Sequence, residues 1–332
     1  MHRTSRLVTR LSAIVLAAIL AACNNNSGST DESANPAPKP APGAALKVGF
    51  SQIGAESDWR KANSESIKSE AAARGVNLVF SDAQQKQENQ IKALRTFIVQ
   101  DVDVIVFAPV IKTGWEPVLR EIKDAGIPVI LTDRRVENED LYTTFIGADF
   151  IEEGRRAARF LADATSGNAV IVELEGTPGA DPAIDRKNGF AEVLAGYPGM
   201  KIIKSQSGEF TRAKGREVME TFLKSPEGPS ITALYAHNDD MALGAIQAIE
   251  EAGRKPGEDI IIVSVDGIRA AFEAMVEGKL NCTVECNPLL GPILFDTIEK
   301  VVAGQEVPKW IATEEGVFTR QTAAEDIKTR KY

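Results

Sequence analysis

Histidine and cysteine are nearly missing from this chain of 332 residues, which holds two of the first and three of the second. With only His2 and His237, no zinc-finger or metalloprotease spacing exists, and no cysteine stands in a pattern that would make it a nucleophile. Basic residues are outnumbered, 38 Lys and Arg against 47 Asp and Glu, for a formal charge of −9. With no Lys/Arg run after residue 10, nothing here can grip a phosphate backbone, so nucleic acid is not an expected partner. A G-x-S-x-G elbow, a Walker-type phosphate loop and a dinucleotide glycine fingerprint are also absent, and each absence removes an enzyme class. No apolar run reaches the roughly 20 residues that a membrane span needs.

What is present begins with a targeting segment. His2, Arg3, Arg6 and Arg10 make a basic start, residues 11–22 are apolar, and the run ends Leu20-Ala21-Ala22-Cys23. That ending resembles a bacterial lipobox, which implies a lipoprotein signal peptide over residues 1–22 and acylation of Cys23. Residues 23–45, mostly "NNNSGSTDESANPAPKPAPGAA", have little to bury and enough Pro and Gly to stay extended, so they read as a tether. Anchor and tether place the folded part in the periplasm or at the cell surface, where thiols can oxidise. Cys282 and Cys286 lie four apart in the strand-like "LNCTVECNP", about 13 Å along a strand, beyond the roughly 7 Å that a disulfide spans. They are expected as two free, buried thiols.

From Leu46 onward β-branched runs alternate with helical patterns. Strands are expected at "LKVGFS", "VNLVFSD", "VDVIVFAP", "IPVILTD", "TTFIGAD", "NAVIVELEG", "MKIIKSQ", "ITALYAH", "DIIIVSVDG" and "LNCTVE", with helices over 59–74, 88–100, 151–164, 212–224 and 239–252. Near-continuous apolar strands separated by helices predict parallel sheets covered on both faces, and the length favours two sheets of about five strands. "VDVIVFAP" and "ITALYAHND" look like equivalent units of the two halves. In such sheets ligands bind beyond the carboxyl ends of the strands. There the sequence places Trp59 and Arg60, Asp133 and Arg134, Asn238 and Asp239, Asp266 and Glu285.

Carboxylates gathered at a crevice raise the question of acid–base catalysis, and a glycosidase pair is defined in space rather than in sequence. The missing motifs argue against an enzyme, and no metal or cofactor is expected. The residues suit capture of a neutral, polyhydroxylated molecule: ionised Asp accepts hydroxyl hydrogen bonds, Arg donates several from a fixed fork, and Trp59 offers a flat wall to a sugar ring. Plainer readings exist as well. Trp59 could be a core residue and Asp133–Arg134 a surface ion pair. Asp239 reads as the N-cap of the helix that follows and Asp240 as a favourable first-turn charge. That leaves Asn238 facing the crevice and His237 without a partner.

On "DAQQKQENQIKALRTF", "FAPVIKTGWEPVL", "AIDRKNGFAE", "SQSGEFTRAKGREVME" and "YAHNDDMALGAIQAI", the chain resembles the periplasmic sugar-binding proteins of ABC importers, of the ribose/galactose receptor type, and among them the galactofuranose-binding members. The resemblance runs from Leu46 to the C-terminus. It implies a type I fold of class α/β with two lobes, each a parallel sheet flanked by helices, and a three-crossover hinge near residues 147–149, after 285 and near 312. The lobes would be 46–148 plus 287–312 and 149–286 plus 313–332. Trp59 and Arg60 would form one wall, Asp133 and Arg134 would bind ring hydroxyls, and Arg186, Phe210, Asn238 and Asp266 would close from the second lobe, with Glu285 at the hinge. Where ribose receptors carry paired aromatics, Asn-Pro and a hinge Gln, this chain has Trp59-Arg60, Ala108-Pro109 and Glu285, which agrees with the galactofuranose type. The lipobox and tether depart from that soluble receptor. The implied role is delivery of a monosaccharide, galactofuranose or a related furanose, to a membrane permease by a lipid-anchored monomer. A sugar sensor for a chemoreceptor or histidine kinase is the alternative, and a glycoside-processing enzyme stands behind it. A repressor is excluded by the secretion signal and by the lack of a helix-turn-helix before Leu46.

Overall fold

The computed structural model describes residues 45–332, so the leader, Cys23 and all but the last residue of the tether lie outside the described residues. In the first half β1 (Lys47–Gln52), β2 (Asn77–Asp82), β3 (Val104–Phe107), β4 (Val129–Thr132) and β5 (Thr144–Gly147) alternate with α1 (Asp58–Ala73), α2 (Gln87–Val99) and α3 (Glu116–Asp124). The second half opens on α4 (Phe150–Ala164). It continues through β6 (Asn168–Glu175), α5 (Asp181–Leu194), β7 (Gly199–Ser207), α6 (Arg212–Lys224), β8 (Ala233–Ala236), α7 (Asp239–Glu251), β9 (Ile261–Asp266), α8 (Arg269–Val276) and β10 (Cys282–Glu285). Then α9 (Gly291–Val302) and β11 (Trp310–Ala312) return to the first half, and β12 (Val317–Thr319) and α10 (Ala323–Asp326) end in the second.

Strands β3 and β4 are buried at every position, which is what their uniformly apolar sequences require of strands covered on both faces. The first sheet has the order β11-β5-β4-β3-β1-β2, parallel throughout. The second has the order β12-β10-β9-β8-β6-β7, parallel except for β12 against β10. β3 and β8 hold the same place in their sheets, so the two sequence units that look alike are structural equivalents. Each sheet has six strands rather than the expected five. The extra ones, β11 and β12, are three residues long, too short to leave a periodic signature.

The chain passes between the lobes three times, after β5, after β10 and between β11 and β12. The first sheet is sandwiched between two apolar clusters, one around Ile67, Leu294 and Phe295, the other around Phe97, Trp115 and Leu119. The second lobe has one continuous core with Phe190, Tyr235, Phe222 and Phe272, and Trp59 of α1 packs into it from the other lobe. Each such side chain contributes about 1.5–3 kcal/mol by leaving water. Where α4 crosses α5, a Cβ on Gly154 would lie 2.2 Å from the Arg186 carbonyl, so only glycine permits the approach that sets Arg186 against Glu153. Among the described residues no helix is long and apolar enough to cross a membrane. Cys282 and Cys286 are buried and unbonded.

Candidate functional site

Parallel strands deliver their carboxyl ends to one edge of each sheet, and the two edges face one another across a pocket. It is lined by Glu56, Ser57, Trp59, Arg60, Asp133 and Arg134 from the first lobe, and by Pro182, Arg186, Phe210, Asn238, Asp266 and Cys286 opposite. Three of these, Asp133 (φ +63°), Phe210 (+61°) and Asp266 (+128°), hold backbone angles that L-residues rarely adopt. Strain of that kind persists only where the surroundings impose it, and it marks this edge as the place where the fold aims side chains.

On the first lobe, Ser57 caps α1 through the backbone N–H of Arg60, fixing the start of the helix that carries Trp59 and Arg60. Arg60 is fully engaged: its Nε donates to Glu56 Oε1 (2.9 Å), Nη1 to Gln52 Oε1 (3.2 Å) and Nη2 to Asp133 Oδ2 (2.6 Å). It acts as the rivet that fixes three acceptors, two of them carboxylates. Arg134 is less satisfied: Nη1 donates to the Val110 carbonyl (2.9 Å), Nε has no partner, and Asp133 lies at 3.6 Å. Burial lowers its pKa to about 10, with Asp133 opposing, so it remains a cation at neutral pH. Asp133 and Arg134 are 5% and 3% exposed, which rules out a surface ion pair. Trp59 is 4% exposed and its indole N–H donates to the Cys286 carbonyl (2.6 Å), so it is core residue and pocket wall together.

On the second lobe, Arg186 sends Nε to Glu153 Oε2 (2.7 Å) and Nη1 to the His237 carbonyl (2.6 Å), and its Nη2 lies 3.8 Å from Asp266. Burial pushes the Asp266 carboxyl well above its usual range, and Arg186 pulls it back. Phe210 lies between guanidiniums of both lobes, Arg134 at 5.2 Å and Arg186 at 6.0 Å from its ring centre. Its ring lies over Gly176, where a Cβ would sit 1.9 Å from Phe210 Cζ.

The stretch His237 to Asp240 departs from its sequence reading. The N-cap of α7 is Asn238, not Asp239: extended at φ −153°, it accepts from Met241 N (3.0 Å), while its amide donates to the Phe210 carbonyl (3.1 Å). Asp239 lies inside the first turn and points away from its own helix. It accepts from Ser264 Oγ (2.5 Å), Thr283 Oγ1 (2.8 Å), Gly267 N (2.7 Å) and Ile268 N (2.9 Å), which staples the β9–α8 turn to α7. Asp240 reaches across to the first lobe and accepts from Asp58 N at 2.8 Å. His237 does have partners: Glu173 at 3.1 Å from Nε2, and Gly176 N, which donates to Nδ1 at 3.3 Å. All of these groups are buried, where an unpaired polar group would be costly, and the fold supplies them with partners.

Eight of the nine expected binding residues therefore meet at the pocket. Glu285 does not: its Oε1 accepts from Arg330 (2.8 Å) and Tyr332 (3.0 Å), and its Oε2 from Gly316 N (2.9 Å). Sequence reasoning missed Glu56, whose Oε2 is buried without a donor. Burial pushes its carboxyl up, but Arg60 and Arg134 outweigh that and hold it below the usual range. Its only sequence signal was position, two residues before the start of α1 beyond a strand end. With it the pocket holds three acids and three guanidiniums. The walls leave a cavity of about 20 Å³, room for about one water.

Bridges also join the lobes outside the pocket. Asp181, at the start of α5, accepts from Lys112 Nζ (2.8 Å) and Arg135 Nε (2.9 Å), and Asp185 takes Arg135 Nη2 (2.8 Å).

The model for the periplasmic binding protein domain matches residues 48–306. The galactofuranose-binding protein of Escherichia coli (strain K12) is 50% identical over 293 residues, 87% of this chain and 92% of that one. The binding protein component of the arabinose ABC transporter from Shewanella sp. ANA-3, bound to α- and β-L-arabinofuranose, is 54% identical with a TM-score of 0.84, covering 86% of this chain and 96% of that one. A Mycobacterium smegmatis structure in complex with β-D-fucofuranose is 57% identical with a TM-score of 0.84, covering 87% and 96%.

Proposed function

This chain belongs to the periplasmic binding proteins, and on that premise we propose that it is an extracytoplasmic receptor that closes two lobes on a furanose-form monosaccharide and presents the closed form to an ABC importer. Galactofuranose, arabinofuranose or a near relative is the ligand class, since those are the sugars named for its similar proteins. One observation of the site carries the reading. Three acids and three guanidiniums line one pocket, and within that set Glu56 Oε2 is a buried acceptor without a donor and Arg134 Nε a buried donor without an acceptor. A pocket with acids and guanidiniums in equal number and spare partners of both kinds fits a neutral molecule rich in hydroxyls, each of which donates and accepts.

In this reading Asp133 and Glu56, fixed by Arg60, accept ring hydroxyls from one side, and Asp266, Asn238 and Arg186 bind from the other. Trp59 and Phe210 cover the apolar ring faces, and Arg134 donates across the seam. A cavity of about 20 Å³ admits no sugar, so binding begins with the lobes apart. The three crossings then act as the hinge between lobes 46–148 plus 287–312 and 149–286 plus 313–332, a division supported by sheet membership. Acylation of Cys23, the tether over 23–45 and action as a monomer complete the proposal. No step of it needs bond chemistry by the protein, which acts as a binder rather than an enzyme.

The test is a thermal-shift panel of L-arabinose, D-galactose, D-fucose, D-ribose and D-fructose with synthetic galactofuranosides. A sugar at 100 times its dissociation constant stabilises by about 2.7 kcal/mol, and absence of a shift with every member overturns the proposal.

A further inference from the structure

All three crossings between the lobes send a titratable side chain to one largely buried point. Glu153 comes from the first turn of α4, Cys286 from the second crossing and Glu315 from the third. One ligating atom of each lies within 4.8 Å of the others. Glu153 is 1% exposed; its Oε2 holds Arg186, but its Oε1 is buried and receives no N–H or hydroxyl. Glu315 Oε1 accepts from Thr313 Oγ1 (2.9 Å) and Asn287 N (3.2 Å), and the carboxylates of Glu315 and Glu153 come within 4.8 Å of one another, with the Cys286 thiol beside both. Arg186 is the only guanidinium on the Glu153 carboxylate among the described residues. A buried carboxylate and a half-buried one against one cation would leave a charge uncompensated in a poorly hydrated place, which favours retention of a bound proton.

We infer that Glu153 and Glu315 share one proton across the hinge, and that this carboxyl–carboxylate pair positions the Arg186 guanidinium at the sugar pocket. The inference rests on reading Arg186 as a sugar-facing cation. The proton on Glu315 is directed at Glu153 Oε1, beside the Cys286 thiol, and leaves Oε2 charged toward Arg186. Burial, with the Glu153 charge behind it, pushes the Glu315 carboxyl up to about 9. Burial likewise raises Glu153 and keeps Cys286 a thiol. The other groups around the cluster are Arg156 of α4, which donates to the Glu315 carbonyl (2.8 Å), Asp266 of β9, Tyr235 of β8 and Glu285 of β10, itself held by Arg330 and Tyr332.

The sign of the pH effect follows. The folded chain keeps the Glu315 proton up to about 9, whereas an unfolded chain loses it near 4.5, so the folded state binds more protons in between and stability falls as pH rises through that window. Above it a second carboxylate faces Arg186 from the hinge, draws it back, and weakens sugar binding.

Glu315→Gln tests this, because its amide carries a permanent N–H toward Glu153 and an oxygen toward Thr313. In arginine-labelled protein the Arg186 Nε–H resonance, assigned by its loss in Arg186→Lys, is followed by NMR while the L-arabinose dissociation constant is measured calorimetrically, from about pH 6 to about pH 10. In the wild type the resonance should move as Glu315 titrates, and the dissociation constant should rise by up to about tenfold per pH unit beyond that point. In Glu315→Gln both should stay flat across the whole range. The same movement of the resonance in both proteins overturns the shared proton, and a moving resonance with a flat dissociation constant overturns the positioning role. If the wild type binds no L-arabinose, galactofuranosides included, the receptor reading fails while the resonance still decides the proton. Loss of the resonance on adding EDTA and its return with Zn²⁺ would put a metal in the proton's place and overturn the inference.

Discussion

At φ +63° Asp133 occupies backbone space that Asn and Asp tolerate better than other side chains, and its carboxylate is held by Arg60 at 2.6 Å. Asp133→Asn therefore keeps the turn and the shape and removes only the charge. Sugar affinity measured by calorimetry should fall by about 2–3 kcal/mol, roughly 30- to 150-fold, the worth of a charged hydrogen bond in a dry site. Equal affinity would take Asp133 out of the site. Gly176 makes a complementary case, since a methyl group there would occupy the volume of the Phe210 ring. Gly176→Ala should displace Phe210 and weaken sugar binding, with far-ultraviolet circular dichroism unchanged; unaltered affinity would mean that the ring does not touch the ligand.

Helix α7 shows how an element can begin one residue earlier than its composition suggests. Asn238 and Asp239 are both good caps on propensity, and their roles are decided by what the neighbouring turn needs. The β9–α8 turn presents two backbone N–H groups, Gly267 and Ile268, and two hydroxyls stand beside it, so the Asp239 carboxylate serves them instead of its own helix. Asn238→Ala should cost about 1 kcal/mol, the value of a cap. Asp239→Ala strands several buried donors at about 1 kcal/mol or more each and should cost roughly 3 kcal/mol or more. Urea unfolding of both variants checks the order, and a reversed order would restore Asp239 as the cap.

The whole molecule is held shut by more than its pocket. Asp181 is fully buried between Lys112 and Arg135 of the opposite lobe, and Arg135 also reaches Asp185. This partly buried latch is screened by salt less than a fully exposed pair would be. Asp181→Asn should favour the open form, visible as a larger radius of gyration in solution scattering. It should also weaken sugar affinity by about 2 kcal/mol, roughly 30-fold, chiefly through faster release. Unchanged scattering and affinity would reduce the latch to a passive contact.

The sequence by itself determined the alternation of strands and helices, the pairing of the two halves and the strand ends where charged residues gather, because side-chain periodicity and the carboxyl-end rule are local properties. Asp133, Arg134 and Asp266 were legible for that reason, whereas Arg186 followed only from the family resemblance of "AIDRKNGFAE". Only the tertiary structure decided that Glu56 joins the acids of the pocket, that Glu285 turns to Arg330 and Tyr332, and that Cys286 and Glu315 meet Glu153. Those groups lie up to 259 positions apart (Glu56 to Glu315), and their partners are set by how two lobes and three crossings pack. No local pattern records which of several buried carboxylates receives a donor and which must keep a proton, since that follows from desolvation and from the number of cations within reach.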